Sequence, residues 1–430
     1  MGDFSKAMAI LTPKLVRTGL TYILSFGLGK GAAFCAALAL PRLVDADTYG
    51  AIELALTVGI LGATILGLGA PSVAVKYDLM DKDPRSVAIL LGQSVWLAVL
   101  GVVGATAAVL IGLSASYVCG AVMIGLFGAQ SASTSFFRMR GYIHVSGWVE
   151  NASIMIVFVC VAGLAAVGAP RLGPLTWLML AVTLGTAAIA AIGLARHGIA
   201  GLKVLAGEVV RIGSPMMVFG LGQLMLFSTA RLAIAHEGAL TDVASYSLCA
   251  RIALVMVFAS QILNVGLFRT VYRASGEMIA RYFAIWIAVL SLLAFAVSLA
   301  GYFGATLAVL GTQIAPSSFA FVFPIVAMQT TIWVLNSNLE QFVVRDLLSR
   351  PAAVASFVIV GAGALVMLGL SAAGRLDLMA ILGIYSVAMI AMLLVQMRLL
   401  AHKGVPFRSA YFVLPLAASP LLIYLLPYVA

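Results

Sequence analysis

The chain predicts an all-α, polytopic membrane protein, and three observations carry that prediction. Hydrophobic residues make up 63% of its 430 residues and charged residues only 9%, against about 25% charged in ordinary soluble domains. Mean hydropathy is +1.13. Apolar runs near the length of a bilayer-crossing helix recur from one end of the sequence to the other.

The runs fall near 15–41, 48–72, 87–112, 116–136, 148–168, 174–195, 213–235, 243–268, 282–303, 317–342, 352–372, 378–397 and 410–429. The first twelve read directly as spans. The thirteenth, YFVLPLAASPLLIYLLPYVA, holds three prolines and reads either as a span or as a re-entrant or interfacial piece, so the expectation is 12 to 13 helices. On one side the runs are joined by PRLVDADT, GLSA, GAPRLGP, EGALTD, a segment near 303–316 and SAAGRLD. All are too short to fold separately.

The basic residues orient the spans. With the N-terminus in the cytoplasm, nineteen of the 25 lysines and arginines fall on the cytoplasmic side. Only Arg42, Arg171 and Arg375 fall opposite, and three remain inside spans. Such a bias is the mark of an N-in topology. It also accounts for the net charge of +10 as topology, with no call for nucleic acid. The N-terminus MGDFSKAMAILTPKLVR lacks a signal-peptide cleavage pattern, and Lys6 stands where myristoylation needs Ser or Thr.

ARHGIAGLKVLAGEVVRIGSP at 195–215 interrupts the apolar pattern near the midpoint and predicts a linker between two halves. The expected division is a first lobe over 1–200, a second over 201–404, and an additional apolar segment over 405–430. LVDADTYGAIELAL at 43–56 is similar to LTDVASYSLCARIAL at 240–254, with Tyr49 and Tyr246 in register 197 residues apart. Six spans per half would relate the lobes by a pseudo-twofold axis along the membrane normal.

Enzyme chemistry finds little support. FGLGKGAAF lacks the first glycine and the Ser or Thr of a phosphate loop. His236-Glu237 has no second histidine four residues on. Cys35, Cys119, Cys160 and Cys249 lie singly inside apolar runs as small hydrophobes. No catalytic set, metal site or cofactor is expected.

What stands out is three cations in apolar surroundings: Lys30 in TGLTYILSFGLGKGAAFCAALAL, Arg231 at the end of MMVFGLGQLMLFSTAR, and Arg251 in YSLCARIALVMVFAS. A charge at the bilayer centre costs about 2.5–3.5 kcal/mol even on insertion scales, so such residues usually face a bundle interior or a wet cavity. The guanidinium fork suits a phosphate or pyrophosphate. Lys30 lies about 20 Å along a helix from Arg17 and Arg251 about 13 Å into its span. Arg231 lies near a span end and reads equally as a headgroup contact. Glu53, just inside the second span, reads either as a charge partner of a cavity cation or as a protonatable coupling site. Glu150 and Glu340 are expected to pair with Arg138, Arg140 or Arg345. Gln223, Gln261, Asn264, Gln329 and Asn336 suit either sugar binding or helix–helix hydrogen bonds.

Several stretches resemble the polysaccharide transporter, or oligosaccharide flippase, family within the multidrug/oligosaccharidyl-lipid/polysaccharide exporter superfamily. They are LPRLVDADTYGAIELAL, FFRMRGYIHVSGWVENASI at 136–154, and GSPMMVFGLGQLMLFSTARLAIAH followed by TDVASYSLCARIAL. The likeness covers residues 10–400. One departure is Ala230, where that family often has an acid before the arginine.

The resemblance implies two six-helix lobes around a central cavity lined by spans 1, 2, 7 and 8, the spans that carry Lys30, Glu53, Arg231 and Arg251. It implies a non-enzymatic transporter in the bacterial inner membrane that turns lipid-pyrophosphate-linked oligosaccharide to the periplasmic leaflet by alternating access. Proton or sodium coupling and contact with polysaccharide polymerase or ligase machinery would belong to that role. The alternatives are a peptidoglycan-precursor flippase, a drug or cation antiporter of the same fold, and a membrane glycan polymerase or ligase, the last disfavoured by the short outer loops.

Overall fold

The computed structural model describes residues 27–79, 85–197, 205–273, 275–302, 316–346 and 348–428. Lys6, Lys14, Arg17 and most of the connection near 303–316 lie outside them. The described residues are helical with no strand, as expected where lipid offers the backbone no hydrogen-bond partner.

The first half contains α1 over 27–39, α2 (Ala46–Leu66), α3 (Ala70–Leu79), α4 (Arg85–Leu110), α5 (Ala115–Met139), α6 (Ile143–Val149), α7 (Ala152–Ala166) and α8 (Leu172–His197). A π-helical segment, Leu205–Gly213, leads into the second half. There follow α9 (Ser214–Ser228), α10 (Ala230–Glu237), α11 (Leu240–Arg273), α12 (Gly276–Tyr302), α13 (Pro316–Arg345), α14 (Ser349–Ala372), α15 (Leu378–Ala401) and α16 (Arg408–Val413). Among the described residues, eight helices are long and apolar enough to cross a membrane. In the topology expected from the sequence, Arg42, Arg171 and Arg375 would mark a charge-poor face opposite a basic one.

Local chemistry sets several helix starts. Asp45 caps α2, its carboxylate accepting from the Thr48 N–H at 2.9 Å and the Thr48 hydroxyl at 2.8 Å. Those bonds, the backbone one first, hold its carboxyl below the usual carboxylate range. Asp377 caps α15 through the Ala380 N–H at 2.7 Å. Such caps satisfy donors that a helix start leaves orphaned.

After α16 the chain continues as a 3₁₀ helix, Leu414–Tyr428. Pro415, Pro420 and Pro427 remove three backbone donors, which disfavours a continuous α-helix. At about 2.0 Å per residue, this segment covers about 30 Å, the thickness of a bilayer core. It lies against α12 and α13, burying Ala417 and Ile423 and turning Leu416 and Leu422 outward.

Helices α2, α4, α5 and α8 pack as one bundle; α11, α12, α13, α15 and the 3₁₀ helix pack as another. The lobes meet through α2, which touches α9, α10 and α11. Apolar side chains such as Trp177 on α8 and Leu365 on α14 remain exposed, as lipid-facing positions should.

In the second lobe the amides settle as helix–helix glue. Gln329 donates to the Leu382 carbonyl at 2.8 Å and Ser386 at 3.0 Å. Asn336 donates to the Met389 carbonyl at 3.1 Å and accepts from Gln396 at 3.1 Å. Gln223, Gln261 and Asn264 have side chains outside the described set. Replacing Asn336 by leucine should strand the Gln396 amide and cost about 1–3 kcal/mol, seen as a lower Tm of the detergent-solubilised protein.

A charged cluster where the lobes meet

Glu53 sits on α2 about 10 Å from its charge-poor end at ordinary helical rise. Its side chain is 1% exposed. Arg251, on α11 of the other lobe, grips it with both prongs: Nε to Oε1 at 3.1 Å and Nη2 to Oε2 at 3.2 Å. A second arginine approaches the same carboxylate, with Arg231 Nε 3.8 Å from Oε2. Arg231 also donates to the Ser247 hydroxyl at 2.8 Å and lies 5.7 Å from the Tyr246 ring centroid. Buried Arg231 and partly buried Arg251 therefore share one buried acid, and the pairing joins the lobes.

The backbone closes tightly beside this cluster. A Cβ placed on Gly50 would stand 2.0 Å from the Leu240 carbonyl oxygen, so only glycine permits α2 to approach the start of α11 this closely. Tyr49 and Tyr246 are both buried there. Near the other end of α2, Leu68 and Gly69 adopt positive φ of 49° and 73°. There, a Cβ on Gly69 would come within 2.4 Å of the Gly213 carbonyl oxygen. Helix α2 is thus pinned to the second lobe near both of its ends.

The repeat explains why these residues meet. Adding 197 to Gly50 gives Ser247, and adding it to Glu53 gives Ala250, the neighbour of Arg251. If the halves are related by a pseudo-twofold axis along the membrane normal, equivalent positions near it would face each other, so an acid in one repeat could find a cation in the other.

Lys30 is placed elsewhere. Its Nζ lies 3.2 Å from Glu150 Oε1, and Arg138 Nη2 lies 2.7 Å from Glu150 Oε2. Gln130 donates to the Glu150 carbonyl at 2.8 Å. This second group lies at the α6–α7 junction on the basic face, where α1 runs past Gly147 and Trp148. The structure joins Arg231, Arg251 and Glu53 but assigns Lys30 to a separate cluster. The expected Glu150–Arg138 pair is present; Glu340 forms no ion pair among the described residues, and Arg345 turns to Asp346 at 2.8 Å.

Sequence reasoning identified each interlobe charge but missed Ser247 and the Gly50 contact. The Tyr-Gly and Tyr-Ser pairs in register were the available signal. Among the described residues no group of His, Cys, Asp and Glu could hold a metal ion.

No protein-family model and no curated protein sequence matches the chain. Solved structures do. A multidrug-resistance MATE family transporter of the MOP superfamily, in an inward-facing conformation, aligns with TM-score 0.52 and 16% identity over 86% of this chain and 95% of that one. A MATE protein in complex with MaD5 aligns with TM-score 0.40 and 14% identity over 90% and 93%. The two-lobed all-helical architecture is therefore the fold of the first of these transporters.

Proposed function

We propose that this protein is a flippase. It turns polyprenyl-pyrophosphate-linked oligosaccharide from the cytoplasmic to the periplasmic leaflet of the bacterial inner membrane by alternating access, rocking its lobes, 1–200 and 201–404, against each other so that the central cavity opens first to one side and then to the other. The charge-poor face is periplasmic and the basic face, with the N-terminus, cytoplasmic. The observation that carries this reading is the pair of arginines, Arg231 buried and Arg251 partly so, held across the lobe interface by one buried carboxylate.

Glu53 and Arg251 belong to different lobes, so opening the periplasmic side must separate them. Stripping a buried pair of one partner costs about 3–5 kcal/mol. A pyrophosphate can take the place of Glu53, because it offers several anionic oxygens to the same guanidinium forks. Anionic cargo thereby lowers the cost of opening, while a neutral or cationic molecule leaves it in full. Proton or sodium binding at Glu53 would discharge the same contact and supplies a route for ion coupling. Polymerase or ligase machinery would consume the product on the far side. A peptidoglycan-precursor cargo obeys the same electrostatics.

The fold likeness to a multidrug transporter favours a second reading, a cation antiporter. Such cargo needs an acid to meet it, and Glu53 is already saturated by Arg251.

The test is deletion followed by measurement of lipid-linked oligosaccharide on each membrane face. Cargo should accumulate on the cytoplasmic face and be cleared by the wild-type chain but not by Arg251→Ala. Unchanged distribution on deletion, with a loss of cationic-dye efflux, would establish the antiporter instead.

A further inference from the structure

We propose that a cavity inside the first lobe, away from the interlobe cluster, binds the hydrocarbon chain of a prenyl-pyrophosphate lipid; this rests on the flippase reading above. The cavity holds about 550 Å³ between α4, α5, α7 and α8, well within the range of about 300–1,000 Å³ found for ligand pockets. Leu91, Leu126, Phe136, Phe137 and Ile156 supply much of its wall.

Its polar lining is largely turned inward to protein. Ser94 donates to the Leu90 carbonyl at 3.1 Å and Thr186 to the Thr183 carbonyl at 2.9 Å. Gln130 is used at both ends, donating to the Glu150 carbonyl and accepting from the Ser153 N–H at 2.8 Å each. The void is therefore faced chiefly by hydrocarbon, and a cavity of that kind repels water.

The opening points to the lipid. Val161 of α7 and Leu175 and Met179 of α8 are buried in the charge-poor half. In the basic half, Ile156 and Ile189 instead line the void from these two helices. Ile189 is also 72% exposed, so it stands at a rim between the cavity and the surface of the bundle.

The charge at the basic end selects the occupant. Gln130 ties the cavity wall to Glu150, whose carboxylate is shared by Lys30 and Arg138. Two cations on one acid favour a multiply charged head, and Arg138 is half-exposed. A prenyl pyrophosphate brings a single chain with such a head; a diacyl phospholipid brings two chains and one phosphate. The chain would occupy the cavity while the pyrophosphate competes with Glu150 for Lys30 and Arg138.

The experiment uses the purified full chain and farnesyl pyrophosphate carrying a diazirine at the end of its prenyl chain. Photolabel should map to peptides spanning 126–137, 152–156 and 186–193, and unlabelled farnesyl pyrophosphate should displace it better than inorganic pyrophosphate or phosphatidylglycerol. Filling the cavity with Ala129→Phe and Ala190→Phe should lower labelling at least tenfold. Glu150→Gln should raise the affinity severalfold by removing the competitor, a gain that misfolding does not produce. Label elsewhere, equal displacement by phosphatidylglycerol, full labelling of the filled variant, or weaker binding by Glu150→Gln would each overturn the proposal. Cargo sidedness in cells separates the two readings. No labelling with normal flipping removes this site alone, whereas labelling with no cargo defect on deletion removes the flippase reading and this one with it.

Discussion

Glu53→Gln should open the periplasmic side of the protein and abolish productive flipping. The substitution keeps the shape of the side chain but leaves buried Arg231 and partly buried Arg251 without their shared anion. Removing one member of such a group costs about 3–5 kcal/mol, and each 1.36 kcal/mol is tenfold. The ratio of closed to open forms should therefore fall by about a hundredfold or more. Ala244, buried beside Gly50, provides the reporter. In a chain whose Cys35, Cys119, Cys160 and Cys249 are replaced by alanine, Ala244→Cys should react slowly with a membrane-impermeant thiol reagent applied from outside. Adding Glu53→Gln should accelerate that reaction strongly. Arg251→Gln should act in the same direction, and the double variant should be far less than additive, because both changes remove one contact. Equal reactivity in all four chains would show that Glu53 and Arg251 do not hold the lobes closed.

Gly50→Val should be nearly as damaging for a steric reason. The first atom of any side chain at this position would stand 2.0 Å from the Leu240 carbonyl oxygen. The partner is backbone, so relief requires the helices to part. The variant should fold, remain open on the periplasmic side in the Ala244→Cys assay, and fail to restore cargo distribution. Gly361→Val on α14 is the control, since nothing lies within 4 Å of a Cβ there. Transport at the wild-type level by Gly50→Val would mean that the close approach of α2 and α11 is dispensable to the cycle.

The helical framework was legible because apolar run length is a direct consequence of bilayer thickness. Breaks inside spans were less so. The run read as 148–168 is divided into α6 and α7 at Glu150–Asn151, and the run at 213–235 is interrupted at Thr229. No proline marks either point. Thr229 instead shares a 2.6 Å hydrogen bond with Tyr385, 156 residues away, which leaves no local periodicity to read.

The charged site shows the same division. Arg231, Arg251 and Glu53 announced themselves because burial is costly for each one alone. Their mutual pairing depends on helices from opposite halves. Lys30 was legible as an anomaly but not as a partner of Glu150, since a long side chain can choose a neighbour that helix position alone does not specify.

The Gly69–Gly213 contact makes α2 a lever whose far end carries Gly50 and Glu53. From Leu68 to Glu53 is fifteen residues, or about 22 Å of helix. A rotation of about 10° about the Gly69–Gly213 contact would sweep Glu53 through about 4 Å, more than the 3.1 Å that separates it from Arg251. Because that end is fixed by backbone against backbone, nearly all of the displacement is delivered to the carboxylate. A small angular change on the cytoplasmic side is thus geared up into complete rupture of the charged contact on the periplasmic side.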